Sequence, residues 1–277
     1  GMIFSGSYSK NSDKFKINAN FSSAISDNIS GSSIDGSLGY NLNEDISFMG
    51  KISISSHQPN YNFTLFKSKY ISYNWENDFK NIENRQFNLE FKSKKYFDLR
   101  LDFIDVKNLT YFTKDEFDAT KPFQFSDNIN VIKLRISREF SVNKFFFDNE
   151  IQYQKASNAN GILNVPELIT RNSIYFGSHL LDKALFLQTG FSISYFSKYH
   201  MNSYDPLLSE FYVQNSKKIG GFPLMDFFVN AKIQQTRLYF KLEHFNSSFT
   251  GYNFYSAPNY PYRDFSFRFG LVWNFFL

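Results

Sequence analysis

The side chains able to do acid–base or nucleophilic chemistry are few and scattered. His57, His179, His200 and His244 are the four histidines in 277 residues, and there is no cysteine. Without cysteine there can be no disulfide framework, thiolate metal site, iron–sulfur cluster or thiol nucleophile. A histidine acting as a base needs a nucleophile within reach and a third group to orient it. Ser178 and Leu180 flank His179 but point to the opposite face of an extended chain. His244 has Asn246 on its own face, and no His-x-Ser occurs. Each histidine therefore reads as solvated or interfacial. No H-x-x-x-H or E-x-x-H spacing suggests a metal, and the thirteen glycines form neither G-x-G-x-x-G nor a phosphate loop. No catalytic, cofactor-binding or metal-binding residue is expected, and no enzyme.

What remains is charge placed between apolar neighbours. Arg100, Asp102, Lys133, Arg135, Asp148, Glu150, Asp226, Lys232, Arg237, Lys241, Glu243 and Arg268 lie within alternating apolar stretches. On a lipid-facing surface an Arg or Lys costs about 2–4 kcal/mol at the bilayer midplane, a cost that a water-filled lumen removes. Rings of charge then bias which solutes pass. Both signs are present, which predicts weak selectivity; the plainer alternative is salt bridges that stiffen a wall.

The elements that must carry these residues are strands. The chain is 20% aromatic, with 36 Phe and 18 Tyr, yet its mean hydropathy is −0.38. Apolar and polar residues must therefore interleave. Phe265, Phe267, Phe269, Leu271, Trp273, Phe275 and Leu277 share one face of the last segment, opposite Asp264, Ser266, Arg268, Gly270 and Asn274. The same period of two recurs upstream, with Phe97, Leu99, Leu101 and Phe103 against Asp98, Arg100 and Asp102. It marks about fourteen segments, near 2–9, 14–25, 31–42, 46–57, 61–76, 80–93, 96–111, 128–141, 145–157, 166–180, 185–198, 223–235, 236–249 and 262–277. Most reach the ~9–11 residues that a tilted strand needs to cross a bilayer. No run approaches the roughly 20 apolar residues of a spanning helix. The net charge of +4 is too small for a dedicated nucleic-acid binder. Gly1-Met2-Ile3-Phe4 does not read as a signal peptide, so a leader has been removed or the chain is part of something longer.

An apolar face opposite a polar one suits a soluble sandwich or a membrane barrel. Loop lengths separate them. Short connections fall near Lys94-Lys95, Asn143-Lys144, Asp182-Lys183 and Gln235-Thr236, alternating with long ones at about 112–127, 158–165, 199–222 and 250–261. Outer-membrane barrels alternate short periplasmic turns with longer extracellular loops. The expectation is an all-β antiparallel transmembrane β-barrel filling residues 1–277 as one domain, in the bacterial outer membrane. Lipid should meet Leu99, Leu101, Leu134, Ile136, Leu187, Ile193, Val229, Ile233, Leu238, Leu242, Phe267 and Leu271.

Several stretches carry a family likeness. They include Ile132-Lys133-Leu134-Arg135, Phe147-Asp148-Asn149-Glu150-Ile151-Gln152-Tyr153-Gln154, Arg171-Asn172-Ser173-Ile174-Tyr175-Phe176 and Leu187-Gln188-Thr189-Gly190. The strongest runs from Gly221-Phe222-Pro223-Leu224-Met225-Asp226 to Ala231-Lys232-Ile233, then through Tyr239-Phe240-Lys241-Leu242-Glu243-His244 to Phe267-Arg268-Phe269-Gly270-Leu271-Val272-Trp273. These resemble the outer-membrane porins of Bacteroidetes-type bacteria, from about residue 60 to the end. The resemblance implies passive passage of small hydrophilic solutes, the chain standing as the C-terminal part of such a porin or a shortened relative. A plugged barrel anchoring a surface complex is the main alternative, and a secreted soluble all-β protein a lesser one. By the same resemblance the aromatic C-terminal strand is a ligand of the barrel-assembly machinery, and closure would bring residues 262–277 against 2–9 or against a strand of a longer parent.

The aromatics read in two ways. Tyr61, Tyr70, Tyr73, Trp75, Tyr96, Tyr111, Tyr195 and Tyr239 suit interfacial belts; the other reading is rings that stack on sugars in the lumen. The tyrosine- and proline-rich segment 250–261 either packs on neighbouring loops or narrows the pore mouth.

Overall fold

A computed structural model describes residues 2–25, 30–249 and 254–274. Strands hold 67% of it and helix 2%, against roughly 20–25% strand in ordinary soluble domains. The chain opens with β1 (Met2–Asn11), β2 (Phe15–Ile25), β3 (Gly31–Asn41) and β4 (Ile46–His57). A single helical turn, α1 (Tyr61–Thr64), and the two-residue strands β5 (Leu65–Phe66) and β6 (Trp75–Glu76) follow. Next come β7 (Ile82–Ser93), β8 (Asp98–Lys114), β9 (Thr120–Val142), β10 (Phe145–Ser157), β11 (Leu168–Leu180) and β12 (Leu185–Phe196). The short β13 (Ser203–Asp205) and β14 (Glu210–Val213) precede β15 (Leu224–Ile233), β16 (Thr236–Glu243), β17 (Tyr255–Ala257), β18 (Tyr260–Pro261) and β19 (Ser266–Trp273).

One fifteen-stranded sheet has the ladder order β1-β2-β3-β4-β7-β8-β9-β10-β11-β12-β15-β16-β19, with β13 and β14 off this path. Neighbours on the ladder follow one another in sequence, as hairpins require. The turn between β9 and β10 places Asn143 at φ 57, a backbone region that asparagine tolerates better than most residues. By density of contacts the chain forms two compact units. The first is Gly1–Leu134 with Gln154–Val165 and His200–Lys218; the second is Arg135–Tyr153 with Pro166–Tyr199 and Ile219–Leu277.

Burial within each unit is inverted relative to a soluble sheet. In the first, Phe48, Ile52, Ile54, Phe87, Leu89 and Phe103 are exposed, whereas Asn88 and Asp102 on the other face are 2% and 6% exposed. In the second, Ile174, Phe191, Leu238, Phe267, Phe269 and Leu271 are exposed while Ser173 is buried. Water would penalise such an apolar face by about 25 cal/mol per Å²; hydrocarbon does not, so this face is built for lipid.

The ladder differs from the expected strands in three places. Segment 61–76 is not a spanning strand. It folds into α1, β5 and β6 because its rings pack on one another: Phe66 stacks on Trp75 at 4.9 Å and Phe63 on Phe112 at 4.5 Å. Trp75, expected in an interfacial belt, is 8% exposed. Among the described residues the ladder therefore has thirteen strands and not fourteen. The expected loop 112–127 shrinks to five residues, because β8 and β9 run for 17 and 23 residues, well beyond the ~9–11 that span a bilayer. The last strand is eight residues long, shorter than its alternating pattern suggests. Residues 250–253 of the tyrosine-rich loop, and Phe275 and Leu277, lie outside the described residues.

Candidate functional site

In the first unit the polar face carries a chain of alternating charge. Register places Lys51 opposite Asn88, Glu90 opposite Arg100 and Asn88 opposite Asp102. Lys51 Nζ is 3.0 Å from Glu90, the Arg100 guanidinium 3.7 Å from Glu90, and Arg100 Nε 3.0 Å from Asp102. Asn88 donates to Asp102 at 2.9 Å. Lys92 Nζ lies 3.9 Å from Glu90 as well, so three cations surround two anions. Toward β1 the same face carries hydroxyl and amide groups, with Ser22 and Ser33 at 2.9 Å and Ser53 donating to Asp35 at 2.6 Å.

The second unit repeats the device. Lys241 Nζ lies 2.8 Å from Asp226 and 3.2 Å from Glu243, and Arg268 Nε lies 2.9 Å from Glu243. Arg135 pairs with Glu150 across β9 and β10. Asp148 stands on this face opposite Ser173, whereas Lys133 of β9 belongs to the first unit. Lys232 and Arg237 are direct cross-strand partners beside the Gln234-Gln235 turn, and among the described residues neither has an ion-pair partner. Like charges placed directly opposite one another are destabilising in a sheet.

The twelve charges picked out by sequence thus fall into two alternating clusters, one pair, one like-charged couple and two separate positions. Lys51, Glu90 and Lys92 of the first cluster are not among those twelve, because only the register reveals which charges meet. Arg171, Glu139 and Tyr175 of the second unit were also missed. Tyr175 donates its hydroxyl to Glu139 at 2.8 Å. Tyr239 is not in a belt but on the polar face, where its ring lies over Gly270; a Cβ there would come within 2.2 Å of it. His244, expected to be solvated or interfacial, is 2% exposed. Its Nδ1 is 2.8 Å from the Arg263 carbonyl oxygen and its ring meets Phe254 at 4.5 Å, so it anchors the loop before β19.

At the outer end of the first unit, loops pack on the long strands. Asp205 accepts hydrogen bonds from Thr120 at 2.6 Å, Tyr73 at 3.1 Å and the backbone amides of Leu207 and Leu208. Burial pushes the Asp205 carboxyl up, but these hydrogen bonds outweigh it and hold the group below the usual carboxylate range. Burial, followed by the bond to Asp205, pushes the Tyr73 hydroxyl up. β14 adds in parallel beside β8, pairing Tyr212 with Phe112. Ile129 and Val131 are buried against Ala159, with Leu163 and Ile104 packed around them, so segment 154–165 rests on the face that carries Lys133 further along β9.

The chain matches a family model described as "Putative porin" over residues 2–277. No curated protein matches it. Among solved structures it is similar to the ferric enterobactin receptor of Pseudomonas aeruginosa, at TM-score 0.67 and 14% identity over 97% of this chain. It is also similar to a siderophore receptor from Acinetobacter baumannii, at TM-score 0.63 and 12% identity over 97% of this chain. The chain spans 45% of the length of each. The structural likenesses bear on fold alone, an antiparallel β-barrel architecture; the porin family match places the chain in the bacterial outer membrane.

Proposed function

We propose, from the premise that this chain belongs to the putative porin family, that it lines a water-filled path through which small hydrophilic solutes diffuse passively. The observation that carries the reading is the pairing of an exposed apolar face with a charged polar face in both units. Lipid takes the first face, and water and solutes take the second. Both signs stand side by side in each charge cluster, so the path is weakly ion-selective and sorts solutes mainly by size and polarity. The chain does no chemistry on what it passes. Its C-terminal strand serves as the handle for the assembly machinery, since an unpaired strand edge offers backbone groups for temporary pairing.

A second reading, a plugged barrel serving as an anchor, draws on the packing of segment 154–165 against Ile129 and Val131. Conductance in planar bilayers decides between them. The proposal expects long-lived ohmic openings from the refolded chain; silence from a folded, inserted protein favours the plug. Deleting residues 275–277 is expected to abolish insertion in cells while leaving refolding in detergent intact, and equal loss of both would remove the assembly role.

A further inference from the structure

We propose that the middle of the polar face in the second unit binds neutral saccharides, a pyranose ring stacking on a row of aromatic side chains there. The inference rests on the channel reading above and names the solute class for it.

Phe146, Tyr175, Gly190 and Phe228 are successive cross-strand partners on β10, β11, β12 and β15. The rings of Phe146 and Tyr175 are 5.0 Å apart and 7° from parallel, and the ring of Phe228 follows at 6.2 Å from Tyr175. Phe146 and Tyr175 stack on each other and Phe228 leans on Tyr175 at 55°, so the three rings form a row on the face that also bears Ser173, Asp226 and Lys241. Belt aromatics sit at strand ends, level with the lipid headgroups. Tyr175, Gly190 and Phe228 sit near the middle of their strands, and they face away from lipid. Neither ordinary role of a barrel aromatic accounts for them.

The surroundings supply hydrogen-bonding groups for a sugar. A Cβ at Gly190 would come within 2.2 Å of the Ile174 carbonyl oxygen, so that position stays bare and the Tyr175 and Phe228 rings meet across it. Lys241 is paired with Asp226 at 2.8 Å, and Glu139, Asp148 and Arg171 line the same hollow. The Tyr175 hydroxyl is held by Glu139, which fixes the ring. On one side of the row lie the Ser173 and Ser192 hydroxyls, 2.8 Å apart; on the other lie the Gln188 and Asn230 amides, direct cross-strand partners. The hollow over this region is about 600 Å³, within the ~300–1,000 Å³ range of small-molecule sites. A pyranose has an apolar C–H face and a rim of hydroxyls. Tyr175 and Phe228 offer apolar ring surface to the hollow beside hydroxyl, amide and charged groups, the complement of both.

The test uses the whole chain refolded in detergent, with maltohexaose and cellohexaose as probes and a charged dipeptide as control. Calorimetric titration is expected to detect millimolar binding of at least one hexasaccharide. Phe228→Ala, or Phe228→Leu if the alanine variant does not fold, should weaken it about tenfold. Phe269→Leu, on the lipid face, should leave it within about twofold. No binding of either sugar, binding of the dipeptide alone, or unchanged affinity in both Phe228 variants overturns the proposal and leaves the rings as fillers of the hollows at Gly177 and Gly190. The titration needs only folded protein. A chain that binds sugar yet never conducts would overturn the channel reading and spare this one; a chain that conducts without binding sugar would do the reverse.

Discussion

Lys241 touches two carboxylates, Asp226 and Glu243, and Arg268 offsets the second. Lys241→Gln therefore leaves the cluster with one uncompensated negative charge. The expected outcome is a shift of reversal potential toward cation preference under a salt gradient; an unchanged potential would mean that this wall does not face the permeating ions. On the other face, Leu242 pairs with Phe267 and Leu238 with the exposed Leu271. Leu242→Arg or Leu271→Arg should each cost about 2–4 kcal/mol of folding free energy in bilayers if near the midplane. Unfolding titrations that place both variants level with the parent would remove these positions from the lipid face. At this scale the sequence revealed which face each residue takes, since the period of two is local. It did not reveal which charges touch: Lys51 and Glu90 meet only because β4 and β7 pair in one register.

Elements that cross the membrane were legible and those outside it were not. Crossing strands must alternate, because lipid and water demand opposite side chains at successive residues. Segment 61–76 alternates too, but its rings have loop partners in place of lipid, and the period cannot tell these apart. The same holds for β8 and β9, which continue past the bilayer as paired ribbons. The loops packed on those ribbons hang on Asp205. Its carboxyl is held low, so the ionised form stabilises the fold above the unfolded value of ~3.9, and that contribution fades as pH falls through this value and below. The Tyr73 hydroxyl is held high, so its neutral form contributes below ~10 and the contribution is lost as pH rises past that. Hydrogen exchange along 203–213 should therefore be slowest, relative to intrinsic rates, between about pH 4 and 10. Asp205→Asn should loosen the segment by about 1–3 kcal/mol and flatten the acid side. A variant that keeps the acid-side dependence would assign it to another group.

Across the molecule, fold class and environment followed from the sequence, because alternation and loop parity are properties of the whole chain. The count did not follow exactly, and the difference of one strand has a consequence. Consecutive hairpins run alternately up and down, like two colours laid in turn along a string. A string of two alternating colours joins into a ring without a clash only if its length is even, and among the described residues the ladder has thirteen members. A ring with antiparallel neighbours throughout needs an odd number of further strands, whether from the same chain or another. β1, whose residues are exposed at nearly every position and which pairs with β2, is where such a strand can be sought. In an antiparallel pair only alternate residues of a strand bond to a given neighbour. Exchange along Met2–Asn11 should then protect every second amide when β2 is the sole neighbour, and every amide once the ring is completed.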